Sequence, residues 1–157
     1  MDNIRKRSRY ERIRDQLAGL FAKPGDGQTR MATTAALLHH KFEHYFWCGF
    51  YRLLDSDLVV GPYQGPLACQ VLAKGQGACW AGVNGGKTLL IPDVREFPGH
   101  IACDPRSRSE IIVPCRDDAG NVAGVLDVDS ERLAQFDEVD AEQLELIVAL
   151  LNPGQTK

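Results

Sequence analysis

The stretch FWCGFYRLLDSDLVVGPYQG, residues 46–65, predicts a β-hairpin. Its first half is rich in aromatic residues, which favour extended strands, and Asp55 and Ser56 separate it from a second run of the same kind. Side chains alternate between the two faces of a strand. The alternation predicts one face with Phe46, Cys48, Phe50 and Arg52 and another with Trp47, Gly49 and Tyr51.

Beyond the hairpin, the sequence predicts three more strands and three long helices. The strands are expected over 88–94, 109–117 and 121–130, and the helices over 4–22, 28–42 and 137–151. Short turns between neighbouring strands favour antiparallel pairing. We therefore predict an α+β fold, a mainly antiparallel sheet covered by helices. It forms a single domain over 1–157, with N-terminal helices in 4–42, the sheet and its functional loops in 46–130, and a C-terminal helix at 137–151.

Length and composition are typical of one globular domain that binds a small ligand. The chain has 157 residues, a formal charge of −3 and 25% charged residues, unlike a nucleic-acid-binding protein. The basic residues near the N-terminus alternate with Glu11 and Asp15, so we expect them on a solvated helix face. No apolar run approaches the length of a membrane span or follows the basic residues as in a signal peptide. We expect a cytoplasmic protein with no nucleic-acid or membrane partner.

Five cysteines are many for a cytosolic chain, where permanent disulfides are rare. Their spacing includes no CxxC pair and fits no common zinc site, so we expect no metal. Cys48 and Cys115 lie on predicted strand faces with apolar neighbours and should be buried, inert thiols. The other three, Cys69, Cys79 and Cys103, follow Pro- or Gly-rich segments, where reactive thiols are more plausible.

Thiol chemistry requires the thiolate, which a helix N-terminus or a nearby positive charge favours. Cys79 lies at the apparent start of a short helix. Cys103 lies in a long loop near His100, Arg106 and Arg108. From these residues alone either cysteine qualifies as the nucleophile, and three inert loop thiols remain the alternative.

Two aspartates share one face of the predicted strand 121–130. Asp127 and Asp129 lie opposite its apolar residues, and Glu110 on the neighbouring strand can complete an acidic cluster. Such a cluster would hold a ligand ammonium, and crowded like charges would raise a carboxyl pKa until the group can donate a proton near neutrality. The alternative is a face that meets water. Trp47 and Tyr51 are candidates for an apolar wall, although such residues are more often core.

At these residues the sequence resembles a known family. PGHIACDPRSRSEIIVP, together with GPYQGPLAC, GQGAC, WCGFY and GVLDVDS, is similar to the free methionine-(R)-sulfoxide reductases, small stand-alone proteins of the GAF fold. The resemblance extends from about Trp47 to Ser130.

The resemblance implies a role for each loop cysteine. Cys103 matches the family's nucleophile, Cys69 its resolving cysteine, and Cys79 a third cysteine that can also join disulfide formation. The family more often has plain apolar residues where this chain has Cys48 and Cys115.

The resemblance also implies a substrate pocket. Trp47 and Tyr51 match residues that line it around the methyl-sulfoxide end. Glu110, Asp127 and Asp129 match the acidic group that handles the substrate's ammonium and sulfoxide.

The implied reaction is reduction of free methionine (R)-sulfoxide. Cys103 attacks the sulfoxide sulfur, a carboxyl group, expected to be Glu110, protonates the oxygen, and methionine leaves. The resulting sulfenic acid condenses with Cys69 to a disulfide, which thioredoxin reduces. No cofactor is expected, and a homodimer is implied.

Two other functions are compatible with the same residues. A GAF domain that senses a small ligand would bind it tightly without needing Cys103. A thiol peroxidase or thiol-based redox sensor would use the cysteines but turn over peroxide without the acidic cluster. A comparison of methionine sulfoxide with peroxide as the oxidant separates the reductase from the thiol peroxidase.

Overall fold

The computed structural model of the chain describes residues 1–152, which form four α-helices around one six-stranded sheet. Residues 153–157 of the predicted domain lie outside the described part. The helices are α1 (Asn3–Phe21), α2 (Gly27–Lys41), α3 (Gly77–Gly85) and α4 (Glu138–Ala149). The strands are β1 (Trp47–Leu54), β2 (Asp57–Gln64), β3 (Val71–Leu72), β4 (Leu89–Ile91), β5 (Ser109–Arg116) and β6 (Val122–Ser130).

The sheet has the order β3-β2-β1-β6-β5-β4, and every neighbouring pair is antiparallel. The α+β prediction is therefore confirmed, and so is the 46–65 hairpin, which becomes β1 and β2. The strand expected over 88–94 is shorter, because Pro92 follows β4 and a short 3₁₀ helix, Val94–Glu96, begins soon after. The two-residue β3 was not predicted.

Each face of the sheet is covered by a different set of elements. On one face, α1, α2 and α4 pack a large core against Cys48, Phe50 and Leu126. On the other face, α3 and the long loops pack a smaller core around Trp47 and Tyr51. The alternation predicted for β1 is thus confirmed, except that Phe46, just before the strand, packs on the Trp47 face.

Close packing fixes α3 on the sheet. A Cβ atom added at Gly82 would lie 2.6 Å from Cγ2 of Ile112 on β5, so the helix approaches the strand as only glycine permits. Gly86 ends α3 in the left-handed conformation, with φ of 62°. As a result, side chains at the start of α3 are held over β5 and β6.

One basic residue of α1 contradicts the prediction of a solvated basic face. Lys6 is buried, and its ammonium donates to Asp137 Oδ2 at 2.7 Å and Asp140 Oδ2 at 2.8 Å. Tyr10 on the next turn donates to Asp140 Oδ1 at 2.6 Å. Asp137 also caps α4, accepting from the backbone N–H groups of Val139 and Asp140. The prediction failed for Lys6 because the acidic residues that bury it are about 130 positions away in the sequence.

Within residues 1–152, no helix is long and apolar enough to cross a membrane.

Candidate active site

A small cavity of about 60 Å³ opens beside the carboxyl-rich end of β6. Its walls come from β1, the start of α3 and the loops before β3 and β5. All of the predicted site residues but Cys69 line it, and Cys69 is bonded to one of them. The predicted lining residues are Trp47, Tyr51, Cys79, Cys103, Glu110, Asp127 and Asp129.

A disulfide joins the two loops over this cavity. Cys69, after β2, and Cys103, before β5, are bonded, with their Cα atoms 5.6 Å apart. Cys103 is exposed and Cys69 is half-buried, so the bond is within reach of an external reagent. The thiols of Cys48, Cys79 and Cys115 stay free. The fold therefore brings together two of the three loop cysteines.

The third loop cysteine has a different environment. Cys79 lies in the first turn of α3, is 6% exposed, and donates through Sγ to Asp127 Oδ2 at 3.5 Å. Burial raises the pKa of its thiol well above the usual value, and the charges of Asp127 and Glu110 add to the increase. The helix N-terminus was expected to activate Cys79, but burial beside carboxylates has the larger effect.

The positive charges predicted to activate Cys103 are partly engaged elsewhere. The Arg106 guanidinium donates to Asp104 Oδ2 at 2.8 Å and lies over the Phe46 ring, 4.8 Å from its centroid. His100 lines the cavity, and burial lowers its pKa, which favours the neutral imidazole. Neither the helix N-terminus nor the nearby positive charges therefore distinguish Cys79 from Cys103 as the reactive thiol. Of these two cysteines, only Cys103 takes part in the disulfide.

The three carboxylates form one buried cluster. Glu110 on β5 is paired in register with Asp129 on β6, and Asp127 lies two positions along the same face. Oxygen atoms of all three lie within 4.8 Å of one another. Glu110 and Asp127 are 7% and 6% exposed, so the alternative of a water-facing side is wrong. Ser107, which sequence reasoning missed, donates to Asp129 Oδ1 at 3.1 Å.

Burial raises the pKa of every carboxyl group in the cluster. Desolvation is the largest cause for each, and the charges of Asp127 and Asp129 add to it for Glu110. For Asp129 the pKa rises to about 6. The cluster therefore retains protons near neutrality and can donate one.

The cluster has no cationic partner among the residues that the structure describes. Among residues 1–152, no lysine, arginine or histidine forms an ion pair with Glu110, Asp127 or Asp129. Oδ1 of Asp127 is buried and, within the same range, accepts no hydrogen bond. Three crowded carboxyl groups without a counter-ion from these residues suit a small cation, such as a ligand ammonium.

Aromatic side chains line the cavity beside the cluster, on the same face of the sheet, where Trp47 on β1 is paired in register with Asp129 on β6. The rings of Trp47 and Tyr51 stack with centroids 5.8 Å apart, and Tyr63 on β2 extends the stack on the other side of Trp47. Trp47 and Tyr51 are buried and also line the cavity, so they belong both to the core and to the pocket wall. Phe46 and Leu67 complete the apolar lining. Sequence reasoning missed Phe46 as a lining residue because strand alternation placed it on the opposite face.

The same wall holds the Cys69 loop. The Trp47 indole N–H donates to the Pro66 carbonyl at 3.1 Å, and the Tyr51 hydroxyl donates to the Cys69 carbonyl at 3.1 Å. Two side chains of β1 thus fix the backbone on which Cys69 reaches Cys103.

Taken together, the geometry suits a redox reaction on a small amphipathic ligand. A disulfide lies beside the cavity, the carboxyl groups can hold a cation and donate a proton, and the aromatic rings can contact the apolar part of a ligand.

Comparisons with known proteins agree with this arrangement. The GAF domain profile matches residues 31–152. Free methionine-R-sulfoxide reductase from Saccharomyces cerevisiae is 36% identical over 153 residues, covering 90% of this chain and 85% of that protein. The Escherichia coli protein of the same name is 41% identical over 121 residues, covering 77% and 73%. The crystal structure of free methionine-R-sulfoxide reductase from Neisseria meningitidis, in complex with its substrate, superposes with a TM-score of 0.89 at 41% identity, covering 98% of this chain and 90% of that one. The chain therefore belongs to the GAF-domain family that includes the free methionine-R-sulfoxide reductases.

Proposed function

We propose that the protein reduces free methionine (R)-sulfoxide to methionine, with Cys103 as nucleophile and Cys69 as resolving thiol. The observation that carries this proposal is the Cys69–Cys103 disulfide beside a cavity that Cys103 and three carboxylates line. The relatives named above support the substrate.

The first step transfers the sulfoxide oxygen to the protein. The Cys103 thiolate attacks the sulfoxide sulfur while a carboxyl group protonates the oxygen. The oxygen then passes to Cys103 as a sulfenic acid, and methionine leaves. Glu110 suits the role of acid, because burial and its two neighbouring carboxylates raise its pKa and keep it protonated near neutrality. Asp127 and Asp129 then accept from the substrate's ammonium, which supplies the counter-ion that the cluster lacks.

The second step regenerates the protein. The Cys69 thiol attacks the sulfur of the sulfenic acid, a disulfide forms, and water is released. Overall, two protein thiols and one sulfoxide become one disulfide, methionine and water. An external dithiol then reduces the bond by exchange. Thioredoxin, with a potential of about −270 mV, is suited to this step in a cytoplasmic setting. A homodimer stays a prediction that sedimentation velocity measures.

The test is a single-turnover assay with the fully reduced protein. The R and S epimers of free methionine sulfoxide are offered separately, and methionine and the mass of the protein are measured. We expect about one methionine per chain from the R epimer alone, together with the loss of two hydrogens as the disulfide forms. Cys103→Ser should make none. Cys69→Ser should make one methionine and stop at a sulfenic acid that dimedone traps.

The matched control is Cys115→Ser, which changes a thiol outside the cavity lining, on the other face of the sheet. It should behave as wild type. Activity in Cys103→Ser, or no methionine from the wild-type protein, contradicts the proposal. Peroxide consumption without any methionine sulfoxide reduction would instead favour a thiol peroxidase.

A further inference from the structure

Cys79 differs from the other two loop cysteines in how its sulfur is placed. Cys69 and Cys103 are bonded to each other near the surface, whereas Cys79 is buried and its thiol contacts a carboxylate. The family resemblance suggests that a cysteine at this position can join disulfide formation. The geometry of this chain indicates a different use.

The backbone of α3 restricts where the Cys79 sulfur can go. Gly82, one turn further along, is packed against Ile112, and Ala78 and Trp80 on either side of Cys79 are buried in the same core. A disulfide requires the two Cα atoms to come within about 7 Å with their side chains facing each other. Cys69 already meets that condition with Cys103. Any backbone movement that brings Cys79 toward another cysteine therefore shifts a helix that is closely packed on the sheet.

The contact that Cys79 makes is with an uncompensated carboxylate. Its S–H faces Asp127 Oδ2, while Oδ1 of the same carboxylate accepts no hydrogen bond from residues 1–152. A donor on one oxygen fixes the rotation of the carboxyl group and leaves the other oxygen for a ligand. The second oxygen is the one that an incoming ammonium can use.

We propose that Cys79 is a positioning residue, whose thiol donates to Asp127 Oδ2 and orients Oδ1 toward the substrate's ammonium, and that it forms no disulfide during the catalytic cycle. This inference rests on the proposed function, because it assigns Asp127 to the substrate.

The donor also affects the protonation of Asp127. Burial and then the charge of Asp129 raise the pKa of Asp127, whereas hydrogen bonding by Cys79 and Glu110 lowers it, because it favours the ionised carboxylate. Loss of the donor therefore raises the pKa of Asp127 further. As the pH falls, the ionised carboxylate that binds an ammonium is then protonated at a higher pH. The acidic limb of the kcat/KM profile therefore moves to higher pH.

The test compares Cys79→Ser with Cys79→Ala across pH. Serine keeps a donor but has no redox chemistry, whereas alanine removes both. We expect Cys79→Ser to stay within about threefold of wild type in kcat/KM, and Cys79→Ala to lose about tenfold, the lower end for a hydrogen bond to a charged group. Only Cys79→Ala should shift the acidic limb to higher pH. Cys48→Ala, a matched truncation of a buried thiol on the other face of the sheet, should leave the limb in place.

A second readout needs no variant at this position. After one turnover of the wild-type protein, thiols are alkylated in denaturant and mapped by mass spectrometry. Cys79 should be alkylated in full, with Cys69 and Cys103 linked. A bond from Cys79 to either of them overturns the inference. So does equal impairment of Cys79→Ser and Cys79→Ala, which indicates redox chemistry, or wild-type behaviour of Cys79→Ala. These outcomes leave the proposed function intact while the wild type makes methionine, whereas an inactive wild type overturns both.

Discussion

Two groups of carboxylates lie on opposite sides of the same sheet, and their charges are balanced in different ways. Behind the sheet, Asp137, the N-cap of α4, and the buried Asp140 in its first turn share the ammonium of Lys6, which donates to both. In front of it, Glu110, Asp127 and Asp129 crowd within 4.8 Å without a cation from the described residues. The first group joins two helices, and the second is left with a charge that a ligand can neutralise. Where the counter-ion comes from distinguishes a structural acid group from a binding group.

The direction of the pKa changes follows the same division. Burial opposes ionisation of Asp137, but hydrogen bonds from Lys6 and the Asp140 backbone outweigh it, so the pKa of Asp137 is lowered. For Asp129 desolvation dominates, and the pKa rises to about 6. Folding therefore favours the ionised form of Asp137 and the protonated form of Asp129.

The largest effect is expected from removing the counter-ion behind the sheet. Lys6→Met leaves Asp140 buried and uncompensated, and we expect it to lower the free energy of unfolding by about 3–5 kcal/mol. Denaturant unfolding at pH 7.5 measures this loss. Arg7→Ala is the matched control, because Arg7 pairs with Glu142 at 2.7 Å on the exposed side of the same helix. It should cost less than about 1 kcal/mol. Similar losses for the two variants would contradict the role given to Lys6.

A smaller effect in energy, but a large one in rate, is expected in front of the sheet. Glu110→Gln keeps the shape of the side chain and removes the acid, so kcat should fall by about a hundredfold or more, which is about 2.7 kcal/mol. Stability should not fall, since the variant removes a carboxyl group from a crowded cluster. Steady-state kinetics and thermal unfolding on the same sample give both numbers. A variant that loses stability while keeping kcat within tenfold would reverse the assignment of the two groups.

The smallest effect is a difference in how stability depends on pH. The raised pKa of Asp129 destabilises the folded state as pH rises from its unfolded value near 3.8 through about 6. Asp129→Asn should therefore raise stability by about 1–2 kcal/mol at pH 7.5, with the gain fading below pH 4. Asp137→Asn should do the opposite, because a lowered pKa contributes stability above the unfolded value that is lost as pH falls. Asparagine also caps helices well, so this variant isolates the charge. Thermal unfolding from pH 3.5 to 8 measures both, and curves of the same sign would contradict the comparison.

Much of the site could be predicted because strand alternation is a local rule. It assigned Asp127 and Asp129 to one face, and the pairing of β5 with β6 then placed Glu110 beside them. Alternation could not say whether that face is buried, since burial depends on α3 and the loops, which are remote in sequence.

Three features were out of reach of local patterns. The charge and helix arguments left Cys79 and Cys103 equivalent, because neither could foresee that Cys79 would be buried against a carboxylate. The pairing of Cys69 with Cys103 followed from the family resemblance alone, since the two loops meet across 34 positions. Lys6 was predicted to be exposed to solvent, because its acidic partners lie at the far end of the chain, where local patterns give no information about contacts.

In the proposed reaction, the hydrogen bonds from β1 to the Cys69 loop link the choice of substrate to formation of the disulfide. Trp47 and Tyr51 line the cavity that would receive the substrate side chain, and they also donate to the carbonyls of Pro66 and Cys69. Reshaping this wall to accept a bulkier sulfoxide therefore loosens the loop that must deliver the second thiol. Substitutions of Trp47 or Tyr51 that change the substrate specificity should therefore slow formation of the disulfide. Variants selected for a new substrate will then need compensating changes in residues 65–70.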